Sequence, residues 1–192
     1  GIGKTKVVEQ FIQNYSDSFD HVIWLDVNSD LPTAFLESNL DEILGIDHSA
    51  EESVEKRFRE MITTINRIEA RKLFVFDNVG GKAVHAIKNL ALTDNTKVIV
   101  VSQVEHDFYQ KVNITLLKRK EGIEFFVSLS EIDEVGIDES ALDNLLYEVS
   151  YHPLAIELLS IIFRENPEKN IDQLTQDVKD GMHLLRSQQN ES

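Results

Sequence analysis

An α/β fold, a parallel sheet core followed by a small all-helical subdomain, is predicted by three features of this chain. Short apolar runs without polar alternation, Val22-Ile23-Trp24-Leu25, Leu73-Phe74-Val75-Phe76 and Val98-Ile99-Val100-Val101, read as strands buried on both faces. Segments with apolar residues at helical spacing separate them, which is the alternation of a parallel sheet covered by helices. Beyond Leu117 the texture is helical only. The expected division is therefore an α/β part over residues 1–117 and a helical part over 118–192.

The chain opens on Gly1-Ile2-Gly3-Lys4-Thr5, a turn that leads into a helix. Val7, Val8, Phe11 and Ile12 place that helix over Lys6 to Asn14. A strand follows over Asp20 to Val27. Pro32 stands near the start of a helix carrying Phe35, Leu36, Leu40, Ile43 and Leu44, with Gly45 as its stop. Ser49 with Glu52 has the capping-box pattern. The helix it begins carries Val54, Phe58, Met61, Ile62, Ile65 and Ile68 at 3.6 spacing and reaches Ala70. Lys72 to Phe76 is the second strand, Lys82 to Leu90 a helix, and Lys97 to Val101 the third strand. Asn113 to Leu117 reads as a last short strand. Helices are expected over Glu121–Leu129, Glu139–Tyr151, Pro153–Glu165 and Ile171–Leu185, with a frayed polar tail from Ser187.

Composition narrows the function. The chain has 192 residues, 42% hydrophobic and 28% charged, which is the balance of a globular protein. Its net charge of −15 makes it a poor partner for nucleic acid phosphates or an anionic membrane surface. No apolar run approaches the roughly 18 residues that span a bilayer. Cysteine is absent, so thiolate metal sites and disulfides are excluded; this suits a reducing compartment, and a cytoplasmic location is expected. The six histidines show no HxxxH or HxH spacing, so a histidine metal centre is not expected.

The opening turn matches the second half of Gly-x-x-x-x-Gly-Lys-Thr, a phosphate-binding loop. Each residue type has a chemical reason. Gly3 lets backbone N–H groups approach phosphate without a side chain in the way. Lys4 brings a cation to the β- and γ-phosphates, and Thr5 offers a hydroxyl to Mg²⁺. The helix beginning there points its positive end at the same anion. The motif's first glycine, and the strand before it, are expected upstream of residue 1, so the chain reads as an excerpt of a longer protein. Such a site also needs a second strand ending in an acid to hold the metal. Leu73-Phe74-Val75-Phe76-Asp77 supplies one, although Asp77 alone is also an ordinary turn former after a strand. Ser102 and Gln103 end the third strand, at the carboxyl side where α/β sheets bind ligands. They either inspect a γ-phosphate or simply begin a loop.

The order of these motifs resembles the NB-ARC branch of the STAND signalling ATPases. The likeness rests on Gly-Ile-Gly-Lys-Thr at residues 1–5, the Trp-bearing strand at 22–25, and Leu73 through Asp77-Asn78-Val79. It also rests on the strand from Val98 to Gln103, the stretch from Ile114 to Phe126, and Tyr151-His152-Pro153-Leu154-Ala155. The resemblance covers nearly the whole chain and implies a P-loop NTPase core with a helical subdomain. It implies ATP or ADP with Mg²⁺ as cofactor. Gly1, Ile2, Gly3, Lys4, Thr5 and Lys6 would surround the phosphates, Ser102 and Gln103 would face the γ-phosphate, and Pro153 with Leu154 would seat the adenine side. Pro153 is also favourable at the first turn of any helix. Thr5 and Asp77 would hold the metal, and Lys4, Asp77 and Asn78 would stand at the reacting phosphate.

Three departures from the family pattern matter. Asn78 stands where a second acid is usual, and an amide cannot act as a base. Gln103 stands where arginine is usual. Tyr151-His152 replaces Gly-Leu. The first two point to slow or absent hydrolysis. The expectation is a regulatory switch, closed with ADP and assembling into a homo-oligomer with ATP, served by sensor and effector domains outside this segment. A remodelling ATPase of the AAA kind and a nucleotide-free interaction scaffold are the rival readings.

Overall fold

In the computed structural model, described for residues 2–47, 51–107, 110–131 and 138–189 (side chains of 182–189 excepted), three strands form one parallel sheet. These are β1 (His21–Asp26), β2 (Lys72–Val79) and β3 (Thr96–Ser102), in the order β1-β2-β3. The register runs from His21 opposite Lys72 to Asp26 opposite Asp77, and from Lys72 opposite Thr96 to Phe76 opposite Val100. β2 is buried along its length except at Asn78, as its unbroken apolar sequence requires. Among the described residues, β1 and β3 each keep one edge without a strand partner.

The pleat sorts the apolar residues to two faces. Leu25, Phe74, Phe76 and Val79 pack with Leu31, Ala34, Phe35, Met61, Ile65, Val84 and Ile87. That face is covered by α2 (Leu31–Glu37), α4 (Val54–Arg67) and α5 (Gly81–Lys88), with the short α3 (Leu40–Ile43) beside them. Phe74 and Phe76 stack with centroids 5.3 Å apart, and Phe35 lies 5.8 Å from Phe74. On the opposite face Leu73, Val75 and Val101 meet Val8, Phe11 and Ile12 of α1 (Lys4–Asn14), with Trp24 and Ile99 at the margin.

Several boundaries differ from the sequence expectation. The helix expected through Leu44 is broken at Asn39, whose φ of 55° ends α2 and starts α3. Asn tolerates that left-handed turn, and Gly45 (φ 65°) then stops α3. α4 begins at Val54 under Ser53, whose hydroxyl accepts the Lys56 N–H. Ser49 lies outside the described residues, and Glu52 pairs with Lys56 at 2.7 Å. Residues 113–117 form no strand. Leu116 is exposed there, and a strand exists only through a pairing partner.

The chain divides into two compact units, one of Thr5–Val112 and one of Asn113–Ser192 with the residues up to Lys4. The helical part is α6 (Arg119–Ser130), α7 (Glu139–Glu148), α8 (Pro153–Glu165) and α9 (Ile171–Gln189), the last running past the expected end at Leu185. Its core is Phe126, Leu142, Leu145, Leu146, Ile156, Leu159, Ile171 and Leu174. Among the described residues, no helix is long and apolar enough to cross a membrane.

Candidate functional site

The carboxyl ends of the three strands carry the polar residues of interest. β2 brings Asp77 into the sheet's centre, where it is 5% exposed. A buried carboxylate is costly without partners. Asp77 has two: its Oδ2 accepts the Thr5 hydroxyl at 3.0 Å, and its Oδ1 accepts the Asn78 backbone N–H at 2.8 Å. Thr5 is in the first turn of α1, and the sheet's packing on Val8 brings that turn to the end of β2. Two residues 72 apart in sequence therefore share one hydrogen bond.

Gly3 precedes this turn with φ of 92°, which favours glycine. A Cβ built on it would meet nothing within 4 Å, so the space over its backbone is open. Lys4 opens α1 directly before Thr5, and Ile2 is half-buried. Lys6 is exposed and bonds Glu9 at 2.9 Å. Gly1 lies outside the described residues.

Asn78 has φ of 56°, and the ladder shifts register between Phe76 and Val79, so β2 carries one extra residue there. The bulge has a consequence for residue type. A left-handed position accepts a short polar side chain such as Asn more readily than most others. From that position Nδ2 of Asn78 donates to Oδ1 of Asp26 at 2.9 Å. Asp26 Oδ2 accepts from Asn28 Nδ2 at 2.8 Å. The Val27 N–H continues the ladder to Asp77 O at 2.8 Å.

Ser102 is turned to local use. Its hydroxyl donates to Val79 O at 2.7 Å and accepts the Val104 N–H at 2.9 Å, which ties the end of β3 to β2. Gln103 follows in a bend, exposed. A cleft of about 400 Å³ lies between the start of α5 and the loop after β3, lined by Gly81, Lys82, Val84, His85, Val104, Glu105 and His106. It includes neither Thr5 nor Asp77.

Pro153 and Leu154 open α8 within the helical unit, with His152 as the residue before it. Ser150 and Tyr151 both have left-handed backbone, φ 53° and 52°. Tyr151 thus occupies a conformation that suits glycine. Its hydroxyl donates to Asp143 Oδ1 at 2.7 Å, which helps hold it there. The Arg119 guanidinium, 2.8 Å from Asp143, holds the Asp143 carboxyl below its usual range, and the Tyr151 hydroxyl adds to this.

The oxygens of Thr5 and Asp77, in hydrogen-bond contact, fit Mg²⁺. This hard ion takes one or two protein oxygens and keeps water and phosphate for the rest. Among the described residues, no three His, Asp or Glu side chains converge as a ready-made metal cage. The sequence reading missed Asp26 and Asn28. The signal was present: Asp26 ends a buried strand as Asp77 does, but nothing in the linear order pairs it with Asn78. The chain matches no protein-family model and no curated protein.

Proposed function

We propose that this chain is the nucleotide-binding part of a regulatory switch of the STAND type, binding ATP or ADP with Mg²⁺ and turning over slowly. The observation that carries the reading is the 3.0 Å bond between Thr5 of the Gly-Ile-Gly-Lys-Thr turn and Asp77 at the end of β2. A glycine turn alone, or an acid after a strand alone, has many ordinary explanations. The two meeting at one point at the start of a helix is what a Mg²⁺-phosphate site requires.

In this reading Gly3 clears space for the phosphates and Lys4 supplies the cation. The Thr5 hydroxyl and the Asp77 carboxylate would hold Mg²⁺, which would supply charge neutralisation for the phosphates. Asn78 itself offers no base, so proton transfer falls to another group, and slow turnover serves to reset the switch. ATP shifts the protein between states only by binding them unequally, and the partner state is expected to be a homo-oligomer.

The test is made on purified full-length protein. Denaturation and chromatography of the released small molecules should give ADP or ATP near one per chain. Lys4→Ala should abolish it. An empty wild type that also fails to bind added ATP with Mg²⁺ sinks the reading in favour of an interaction scaffold.

A further inference from the structure

We propose that Asp26, at the end of β1, is the carboxylate that takes the proton from the attacking water in this site's turnover. The assignment rests on the nucleotide-binding reading above and adds a residue to it.

Hydrolysis needs a proton acceptor near the metal, and the two residues at the end of β2 do not provide one. Asp77 is 5% exposed, bonded by Thr5 at 3.0 Å and by the Asn78 N–H at 2.8 Å, and in the nucleotide-binding reading its remaining acceptor sites hold Mg²⁺, so it does not serve as the proton acceptor. Asn78 is an amide and has no basic form to use. The parallel register places Asp26 directly opposite Asp77 on the neighbouring strand. Asp26 is exposed, so water reaches it.

Its carboxylate is also held in place. Asn78 Nδ2 bonds one oxygen at 2.9 Å and Asn28 Nδ2 bonds the other at 2.8 Å. A carboxylate has about four acceptor sites, so each oxygen keeps a lone pair for a water proton. The bulge at Asn78 is the device that makes this possible. One extra residue with φ 56° turns an amide sideways across the sheet, and it fastens the acid of β1 beside the end of β2. Asn78 is then a positioning residue, and Asp26 does the chemistry that an acid at position 78 would do.

The step balances without an added reagent. The water oxygen bonds to the γ-phosphorus. The bond from that phosphorus to the bridging oxygen breaks, and its electron pair leaves with ADP. The water proton passes to Asp26 and on to solvent, and the products are ADP and inorganic phosphate.

Binding of MgATP and steady-state phosphate release are measured in the full-length protein for wild type, D26N and D26N/N78D, with melting curves to check folding. Wild type should bind and turn over. D26N should bind MgATP as wild type does and lose kcat about a hundredfold, the usual scale for a missing base. The double variant moves the carboxylate back to β2 and should regain turnover over D26N. D26N with wild-type kcat overturns the assignment, as does a double variant no better than D26N. D26N that loses binding along with turnover also overturns it, because the carboxylate then serves only the site's structure. Wild type that binds MgATP without turnover overturns the assignment and leaves the nucleotide reading standing. Wild type that does not bind overturns both.

Discussion

At the scale of single residues, the decisive ones are short polar side chains whose partners lie far away in sequence. Thr5 and Asp77 are the clearest pair. Thr5→Val keeps the shape but removes the donor, leaving the buried Asp77 with one partner fewer. A loss of about 1–3 kcal/mol is expected in urea unfolding, with weaker Mg²⁺-nucleotide binding. Thr5→Ser keeps the hydroxyl and should keep most of both. Asp20 makes a different residue-scale prediction. Side-chain hydrogen bonds from Arg71, then the Arg71 backbone N–H, lower its pKa to about 2 from 3.8. A depressed carboxylate stabilises the fold fully above its unfolded pKa and loses that contribution as pH falls through the folded one. Melting temperature should therefore drop between pH 4 and pH 2 more steeply in wild type than in Asp20→Asn.

At the scale of elements, the helices show where a glycine is needed and where it is not. Gly122 sits in α6 against the Tyr151 ring, where an added Cβ would lie 2.9 Å from Tyr151 Cδ1 and 3.3 Å from Ile156 Cδ1. Gly122→Ala should destabilise, since overpacking costs about 1–3 kcal/mol and outweighs the gain of about 1 kcal/mol in helix propensity. Gly181 in α9 has nothing within 4 Å of such a Cβ. Gly181→Ala should therefore stabilise by about 1 kcal/mol, read in the same denaturant titration. Lys72 shows an element boundary made by a charge. It begins β2 fully buried, and its ammonium donates to the Ile68 and Ala70 carbonyls at 2.5 and 3.2 Å. These carbonyls follow the end of α4, so one lysine closes a helix and starts a strand.

At the scale of the molecule, each unit has its own core: two layers on the faces of the sheet in one, and a cluster among four helices in the other. Leu145 is fully buried in the helical core. Leu145→Ala should cost about 2–5 kcal/mol there. Hydrogen exchange should show α6 to α9 losing protection while the amides of β2 keep theirs. Equal loss in both units would mean that they unfold as one.

Periodicity and apolar runs by themselves determined that this chain alternates strand and helix around a parallel sheet and ends in helices. Such patterns are local: burial on both faces shows as an unbroken run, and helical packing shows as a stripe. Lys4, Thr5 and Asp77 were legible as candidates for the same reason, since each sits in a short pattern with a chemical rationale. What only the tertiary structure decided was which of them meet and on what terms. The apparent strand at 113–117 had the right residues and no neighbour to pair with. The break at Asn39 and the bulge at Asn78 depend on backbone conformations that Asn tolerates but its letter does not announce. Asp26 and Asn78 meet because parallel pairing sets Asp26 opposite Asp77, and the bulge turns Asn78 to reach it. Strand register is a long-range choice made by core packing, so no window of sequence around either residue contains it.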